Sequence, residues 1–238
     1  MSEFVGSRMH SLSIIVPVLE EAAGIADALN ALAPYRRRGA EVIVVDGGSR
    51  DRTAELARPL ADHVIAAPRG RAAQINAGTA VAHGDVLLFL HADTRLPDGA
   101  DRVIGDGLTR SGRAWGRFDV RITGRVALAI VAATMNIRSR ITGIATGDQA
   151  MFVTRAAFDA VGGFPDIPLM EDIALSRRLR RLGRPLCLRE CVTASGRRWE
   201  RHGVARTILL MWRLRLAYFL GAEPAALARR YGYGPRDG

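Results

Sequence analysis

The chain has 238 residues, 48% hydrophobic and 24% charged, which is ordinary for one globular α/β domain with a substantial core. Its formal net charge is +10, and every one of its 34 basic residues is arginine. This excess charge suits anionic partners such as nucleotide diphosphates or acidic lipids. Because neither an RNA-binding aromatic motif nor zinc-finger spacing accompanies it, we expect no nucleic-acid partner.

The amino terminus and the cysteines predict a cytoplasmic protein. Residues 1–10 are polar and lack the apolar core of a signal peptide. Cys187 and Cys191 are the only two cysteines, and their spacing is a weak metal signal. We therefore expect reduced thiols.

The first predicted strand is residues 12–18, a buried run rich in β-branched side chains. Pro17 lies near its end, where it stops ladder pairing. The acids Glu20 and Glu21 then open a predicted helix that runs to about Leu32. A buried strand followed by polar residues and a helix is typical of an α/β sheet.

The second strand, residues 42–45, ends at Asp46, and Gly47 and Gly48 turn the chain. Either Ser49 or Asp51 can cap the helix that follows. Next, the motif RGRAAQINAG (69–78) starts another helix. Its first amides, with Arg69 and Arg71, are suited to face phosphate, although a basic solvated helix explains the same pattern.

A third strand, residues 86–90, ends in His91, Ala92 and Asp93. Ligands of open α/β sheets bind at the carboxyl ends of strands, where a carboxylate can hold a divalent cation against a diphosphate. Capping or turn formation is the alternative role for each strand-end acid. Three strands of the same form favour a parallel, doubly wound sheet with a site along one edge.

The middle of the chain is predicted to contain a strand at 115–122, an apolar helix at 126–141 and a strand at ATGDQAMF (145–152). The helix is too short, and too interrupted by arginine, to cross a bilayer. Met170, Glu171 and Asp172 open a further helix that ends near Leu182. Acids in a first turn favour the helix dipole, or they serve as a catalytic base.

The carboxyl-terminal part, 204–220, combines leucine and tryptophan with interleaved arginines. Such a helix packs on the sheet, forms a homodimer, or lies peripherally on the inner face of a membrane. Pro224 begins a last short helix, before a frayed tail at 232–238. We expect residues 1–203 to form the main domain and residues 204–238 an amphipathic helical extension.

The ordered motifs SIIVPVLEE, VVDGGSRDRT, RGRAAQINAG, LHADT and MED resemble the family 2 glycosyltransferases over residues 13–199. This resemblance implies a GT-A fold, with a Rossmann-like, mostly parallel sheet flanked by helices, and here carboxyl-terminal helices. It also implies a nucleotide-diphosphate sugar as donor and an acceptor that the sequence does not identify. HADT and the late GRRWERHG resemble a small bacterial subgroup, the radical-SAM/selenodomain-associated transferases.

The resemblance also implies roles for individual residues. Asp93 is expected to ligate Mn²⁺ or Mg²⁺. His91 stands where the family's first metal-site aspartate is usual, and it either ligates the metal as well, contacts the nucleotide or packs structurally. Gly147, Asp148 and Gln149 are expected at the acceptor. Ile75 replaces the arginine that usually precedes the asparagine of the third motif, and Arg71 can supply that charge. The residues expected to contact the donor are Pro17, Val18, Glu20, Asp46, Arg71, Asn76, Ala92, Arg197, Arg198 and Trp199.

By the same resemblance, Asp172 is the general base of an inverting transfer, and Glu171 orients or contacts the acceptor. The alternative function is a non-catalytic nucleotide-sugar-binding or membrane-associated regulatory protein with the same fold. A nucleotidyltransferase is disfavoured because it would carry a glycine-rich, basic loop after the first strand. Residues 18–21 are acidic instead.

Overall fold

The computed structural model of the chain describes residues 10–197 and 203–232. The strands are β1 (Leu12–Val18), β2 (Glu41–Asp46), β3 (His63–Ala66), β4 (Val86–Phe89), β5 (Thr94–Arg95), β6 (Trp115–Ile122), β7 (Phe152–Thr154) and β8 (Leu186–Ala194). The α-helices are α1 (Ile25–Asn30), α2 (Ala33–Arg36), α3 (Thr53–Ala57), α4 (Arg71–Val81), α5 (Ala100–Ser111), α6 (Val126–Thr142), α7 (Arg155–Ala160), α8 (Glu171–Leu179), α9 (Val204–Phe219) and α10 (Pro224–Tyr231).

The strands form one sheet in the order β3-β2-β1-β4-β7-β6-β8-β5. Strands β3, β2, β1 and β4 pair in parallel, as do β6 and β8, whereas β7 and β5 pair antiparallel to their neighbours. The central parallel strands are buried on both faces, which explains their continuous apolar sequences. The predicted α/β class and mostly parallel sheet are confirmed.

Two hydrophobic clusters cover the two faces of the sheet. Along β1, Ile14 and Val16 enter one cluster and Ile15 the other, as the period of two in a strand requires. Helix α4 lies close against β1, because a Cβ added at Gly78 would be 2.6 Å from Ile15 Cγ2. A side chain at position 78 would push α4 away from β1. Glycine here therefore lets the helix lie against the sheet, with its first turn at the edge.

Two predicted elements differ from the structure. The helix expected from Glu20 begins only at Ile25, and Glu20 itself adopts a left-handed backbone with φ 55°. The amide of Glu21 instead donates to Thr53 Oγ1 at 2.8 Å, so this segment is a turn tied to the next loop. The strand expected at 145–152 is largely a 3₁₀ turn, Gly147–Gln149, and only Phe152–Thr154 forms the strand β7.

Other predicted elements are confirmed, including the strand at 115–122, the helix from Val126 and the last helix from Pro224. In the carboxyl-terminal part, Leu214 of α9 and Leu227 of α10 are buried in one cluster with Ile173 of α8. The extension therefore packs on the body of the molecule, on the side where α8 begins. None of the described helices has the length and the apolar character needed to cross a membrane.

Candidate active site

The carboxyl ends of the central strands meet at one edge of the sheet. Val18, the last residue of β1, is paired with Asp46, the last residue of β2. On the other side of β1, Phe89 at the end of β4 pairs with Ile15, and His91 follows two residues later. The register therefore brings the three polar strand ends together, as the sequence predicts.

The loop that follows β2 is fixed by strand-end acids. The Asp46 carboxylate is mostly buried and accepts hydrogen bonds from the backbone amide and hydroxyl of Ser49. Glu20 joins the loops after β1 and β2, because its carboxylate accepts from the Arg50 amide at 2.8 Å and its own amide donates to Ser49 Oγ at 2.9 Å. The Val18 carbonyl accepts from Gln74 Nε2 at 2.9 Å. These hydrogen bonds tie the loops after β1 and β2 to each other and to α4.

Helix α4 starts beside this edge, and its residues have two different roles. Arg71 Nη1 lies 3.9 Å from Glu171 Oε1, so its charge reaches the start of α8. Asn76 Nδ2 donates to the carbonyl of Phe164 at 2.9 Å, and the Phe164 amide donates to Asn76 Oδ1 at 3.1 Å. The sequence predicts Asn76 at the donor. In the structure, both the nitrogen and the oxygen of its side-chain amide hold the turn at Gly163.

The residues after β4 face two neighbours. His91 Nδ1 lies 3.4 Å from Asp148 Oδ1, and a Cβ at Gly147 would be 2.6 Å from His91 Nε2. Asp93 is exposed, while Ala92 between them is partly buried. Burial raises the pKa of the Glu21 carboxyl, and the negative charge of Asp93 adds to this rise. Two neighbouring carboxylates are a suitable donor set for a hard divalent cation that also takes phosphate oxygens.

The acidic pair, Glu171 and Asp172, lies in the first turn of α8. Asp172 Oδ2 accepts from the Gly147 amide at 2.9 Å, and Oδ1 accepts from the Ile173 amide at 2.7 Å. Glu171 is only 5% exposed. Burial and the charge of Asp172 raise the pKa of Glu171 to about 7, against the lowering effect of Arg71. The pair therefore offers one oriented carboxylate and one carboxyl that exchanges its proton near neutral pH.

The expected acceptor turn has one half-exposed side chain, Asp148, and one buried side chain, Gln149. Desolvation raises the pKa of Asp148, but its contact with His91 and the charges of Arg71 and Arg215 outweigh this and lower it. Gln149 differs from the expected acceptor contact because it is fully buried, with its amide bonded to Thr146 and, at 3.3 Å, to Asn136 Oδ1. Its physical role here is to support the turn from behind.

These elements line one cavity. Its lining combines side chains of the donor edge with the acidic pair and the acceptor turn. The lining residues are Pro17, Arg71, Ile75, Phe89, Leu90, His91, Gly147, Met151, Phe164, Glu171 and Asp172.

Two arginines that the sequence does not single out lie next to this cavity. Burial and the charge of Arg215 lower the pKa of Arg138 to about 10, whereas the charges of Asp172 and Asp148 oppose this. Arg138 Nε and Nη2 are buried and donate to no partner within residues 10–197 and 203–232. Burial also lowers the pKa of Arg215. An arginine inside an otherwise apolar helix, α6 or α9, is the signal that points to them.

Of the late motif GRRWERHG (196–203), only Gly196, Arg197 and Gly203 lie within the described residues. The amide and Nε of Arg197 lie 3.3 and 3.1 Å from Ser195 Oγ. The charge of Arg197 opposes the rise in the pKa of Glu21. Arg197 therefore lies near the Asp93 side of the edge. Arg198 and Trp199, expected at the donor, lie outside the described residues.

Sequence relatives of the chain transfer sugars according to their names. Residues 13–152 match the family model described as glycosyl transferase family 2. The undecaprenyl-phosphate 4-deoxy-4-formamido-L-arabinose transferase of Pseudomonas aeruginosa is 29% identical over 160 residues, covering 58% of this chain and 44% of that protein. The probable glycosyltransferase YdaM of Bacillus subtilis is 27% identical over 201 residues, covering 74% and 48%. The chain spans about half the length of the curated relatives it matches.

Solved structures agree in fold. TarS of S. aureus, in complex with UDP-GlcNAc, superposes with a TM-score of 0.65 at 20% identity, over 78% of this chain and 58% of that one. The mannosyltransferase PcManGT of Pyrobaculum calidifontis, in complex with GDP-Man and Mn²⁺, has a TM-score of 0.63 at 22% identity, over 95% and 66%. The fold is therefore of the GT-A type, as the motifs predict. With its family model matching residues 13–152, more than half of its length, the chain belongs to glycosyl transferase family 2.

Proposed function

We propose that the protein is an inverting glycosyltransferase that moves a sugar from a nucleotide-diphosphate sugar to an acceptor hydroxyl. The observation that carries this proposal is the single cavity that joins the donor edge, at Pro17 and His91, to the acidic pair Glu171 and Asp172. The nucleotide sugars bound by TarS and PcManGT support the donor class.

The donor lies along the hydrogen-bonded edge. Asp46 receives the nucleoside, and the first amides of α4 with Arg71 face the diphosphate. Asp93, with Glu21 beside it and His91 nearby, would hold Mn²⁺ or Mg²⁺, which when bound neutralises charge on the leaving diphosphate. Ala92 and Arg197 complete the expected donor contacts, with Arg198 and Trp199 from the segment outside the described residues.

Asp172 acts as the general base. Its carboxylate is oriented by the Gly147 amide, which leaves lone pairs for a hydroxyl proton. The acceptor oxygen attacks the anomeric carbon as its proton passes to Asp172, and the bond to the diphosphate breaks on the opposite face, so the configuration inverts. Glu171, whose pKa lies near neutral, orients the acceptor as a hydrogen-bond donor when protonated. Asp148 contacts the acceptor from the side of His91.

We further propose peripheral binding to an anionic membrane surface through α9. Its outer stripe is exposed although its inner face is packed, and the exposed side chains Arg206 and Arg213 are interleaved with it. The stripe consists of Leu209, Trp212, Leu216, Phe219 and Leu220. Apolar residues flanked by arginine suit the headgroup region of acidic lipids. The lipid-linked substrate named for the Pseudomonas relative is consistent with such contact; the competing arrangement is a homodimer through the same stripe.

Flotation with liposomes tests the membrane proposal. We expect the protein to float with anionic vesicles and to lose most of this binding in the Trp212→Ser/Leu216→Ser variant. Leu182→Ser is the matched control, since Leu182 is 52% exposed outside α9. If the protein does not bind anionic vesicles but elutes as a dimer, and if the double variant is monomeric, the stripe serves self-association instead.

A panel of nucleoside diphosphates and nucleotide sugars, with and without Mn²⁺, tests the transferase proposal. We expect selective thermal stabilisation by one nucleotide, followed by consumption of its sugar conjugate when a suitable acceptor is added. Stabilisation with no turnover across a broad acceptor set would favour the non-catalytic nucleotide-sugar-binding protein. Membership of the radical-SAM/selenodomain-associated subgroup stays a prediction that rests on HADT and GRRWERHG.

A further inference from the structure

A second cluster of metal-ligating side chains lies at the opposite end of the sheet from the cavity. Glu41 is the first residue of β2, His63 is the first residue of β3, and His83 follows α4. Asp46 is the last residue of β2, five positions on from Glu41. At about 3.3 Å per residue, it is roughly 16 Å away. The cluster is therefore separate from the donor edge and takes no part in the proposed transfer.

The three side chains converge on one carboxylate oxygen. Glu41 Oε1 lies 3.4 Å from His63 Nε2 and 2.9 Å from His83 Nδ1, and the three ligand atoms all lie within 4.8 Å of one another. In a tetrahedral zinc site with bonds of about 2.0–2.1 Å, ligand atoms are about 3.3 Å apart. The distance from Glu41 to His63 matches this value, and the shorter distance to His83, that of a hydrogen bond, would lengthen slightly around an ion. Across residues 10–197 and 203–232, this is the only group of three such side chains with that spacing.

The rest of the carboxylate is already held in place. Glu41 Oε2 accepts from Ser13 Oγ at 2.6 Å and from the His83 amide at 2.9 Å. The buried Ser13 hydroxyl in turn accepts from the Gly84 amide at 2.8 Å. Burial opposes ionisation of Glu41, but the hydrogen bonds from Ser13 and His83 prevail and lower its pKa. This support fixes Oε1 towards the two imidazoles, as outer hydrogen bonds do for metal ligands.

The imidazoles can close on a common ion without disturbing the core. The His63 and His83 side chains are 45% and 82% exposed, so each can rotate. Their ring centroids are 6.4 Å apart, on the same side of the sheet end. Two imidazoles and one carboxylate suit Zn²⁺ and its first-row neighbours better than Mg²⁺ or Ca²⁺, which prefer oxygen ligands.

We propose that Glu41 Oε1, His63 Nε2 and His83 Nδ1 form a binding site for a zinc-class divalent cation, with a fourth position open to water. The bound ion would join the starts of β2 and β3 to the connection between α4 and β4. Because an ion that binds only the folded state stabilises it, the site would act as a structural clamp on this edge of the sheet.

Metal titration of chelator-treated protein tests the site directly. We expect calorimetry with Zn²⁺ to show one more bound equivalent for wild type than for the His63→Ala/His83→Ala double variant. Asp93 and both cysteines are present in each protein, so their contribution cancels. Glu41→Gln, which keeps the shape of the side chain, is expected to weaken this equivalent at least tenfold. Co²⁺ is expected to give wild type, and not the double variant, the intense visible bands of a tetrahedral site.

Two further measurements keep the result interpretable. Both histidines are exposed, so the double variant should retain the wild-type circular dichroism spectrum. Asp93→Ala is expected to keep the Zn²⁺ equivalent assigned to this cluster, which separates it from the donor edge. Equal Zn²⁺ stoichiometry and affinity in wild type and the folded double variant, or no binding by wild type, would overturn the proposal and leave a hydrogen-bonded cluster only.

Discussion

The two halves of the sheet treat their polar groups differently. Beside the parallel strands β3, β2, β1 and β4, Asp46 and Glu20 already accept hydrogen bonds from the loop that follows β2. Beside the mixed strands β7, β6, β8 and β5, Glu171 is buried with its pKa raised to about 7, and Arg138 has two buried nitrogens that donate to no partner among the described residues. The loop acids of the parallel half are paired, whereas the mixed half keeps a buried carboxyl with a raised pKa and an arginine with two nitrogens that lack a hydrogen-bond partner among the described residues.

This difference indicates how the two substrates are received. A pre-formed hydrogen-bonded edge can bind a donor with little rearrangement, because its loops are fixed beforehand. Buried charges that lack partners are unfavourable, and an anionic or polar group brought by a ligand relieves them. We therefore expect donor binding to depend on a few strand-end acids, and turnover to depend on the acidic pair of α8.

The largest expected effect concerns Asp172. Asp172→Asn keeps the shape and the contact with the Gly147 amide but removes proton acceptance, so turnover should fall by about two to four decades. Donor affinity should stay near wild type, because the donor edge is unchanged. The measurements are donor consumption with a working acceptor and donor binding by calorimetry. Glu171→Gln is the matched control and should lose less; turnover of Asp172→Asn within tenfold of wild type would remove Asp172 as the base.

The second effect concerns the donor edge itself. Asp93→Ala is expected to abolish the metal-dependent part of nucleoside diphosphate binding, because it removes the exposed carboxylate next to Glu21. Calorimetry with and without Mn²⁺ measures this difference. His91→Ala should have a smaller effect, since His91 faces Asp148. Unchanged metal-dependent affinity in Asp93→Ala would exclude Asp93 from the site.

The third effect is a pH dependence of stability. The pKa of Glu171 rises from 4.5 to about 7 on folding, so the folded state binds a proton that the unfolded state has lost. The contribution of Glu171 to the free energy of unfolding is therefore fully present below about pH 4.5. It falls by up to about 3 kcal/mol as the pH rises through about 7. Glu171→Gln should gain free energy of unfolding relative to wild type between about pH 5 and about pH 8. Urea unfolding measures this gain, and Glu190→Gln, at an exposed position, should show none.

The smallest effect concerns the nucleoside. Asp46→Ala removes a charged hydrogen-bond acceptor, which contributes about 1.5–3 kcal/mol, or about one to two decades in affinity. The loss should be the same with and without metal, in contrast to Asp93→Ala. A nucleotide dissociation constant within twofold of wild type would contradict the assignment and leave Asp46 as a residue that only shapes the loop with Ser49.

The sequence predicts the parallel half of the molecule better than the mixed half. Residues 12–18 and 42–45 are recognisable because strands buried on both faces are continuously apolar, and their terminal acids identify the edge. The segment 145–152 is misassigned because its turn depends on a contact between Gly147 and Asp172, 25 positions apart. Local pattern carries no information about such a partner.

Some charged residues are invisible for a related reason. Arg138 and Arg215 are arginines within largely apolar helices, but only the packing of α6 and α9 reveals that they are buried. Glu41, His63 and His83 are spread over 42 positions in the sequence, and each alone resembles an ordinary surface residue. The approach of His63 to Glu41 follows from the register of β2 and β3, which the sequence leaves open because β3 is short and only partly buried. His83 is brought to them by the end of α4.

Gly147 contacts residues from both halves of the sheet, His91 after β4 and Asp172 at the start of α8. Its amide orients Asp172, while the space beside its α-carbon is filled by the His91 ring. A saturation library at this position should therefore return glycine alone among active clones, because even one added methyl group would displace the His91 ring. Attempts to redirect such an enzyme to new acceptors would accordingly leave position 147 unchanged and diversify Asp148, Arg138 and Arg215 around it.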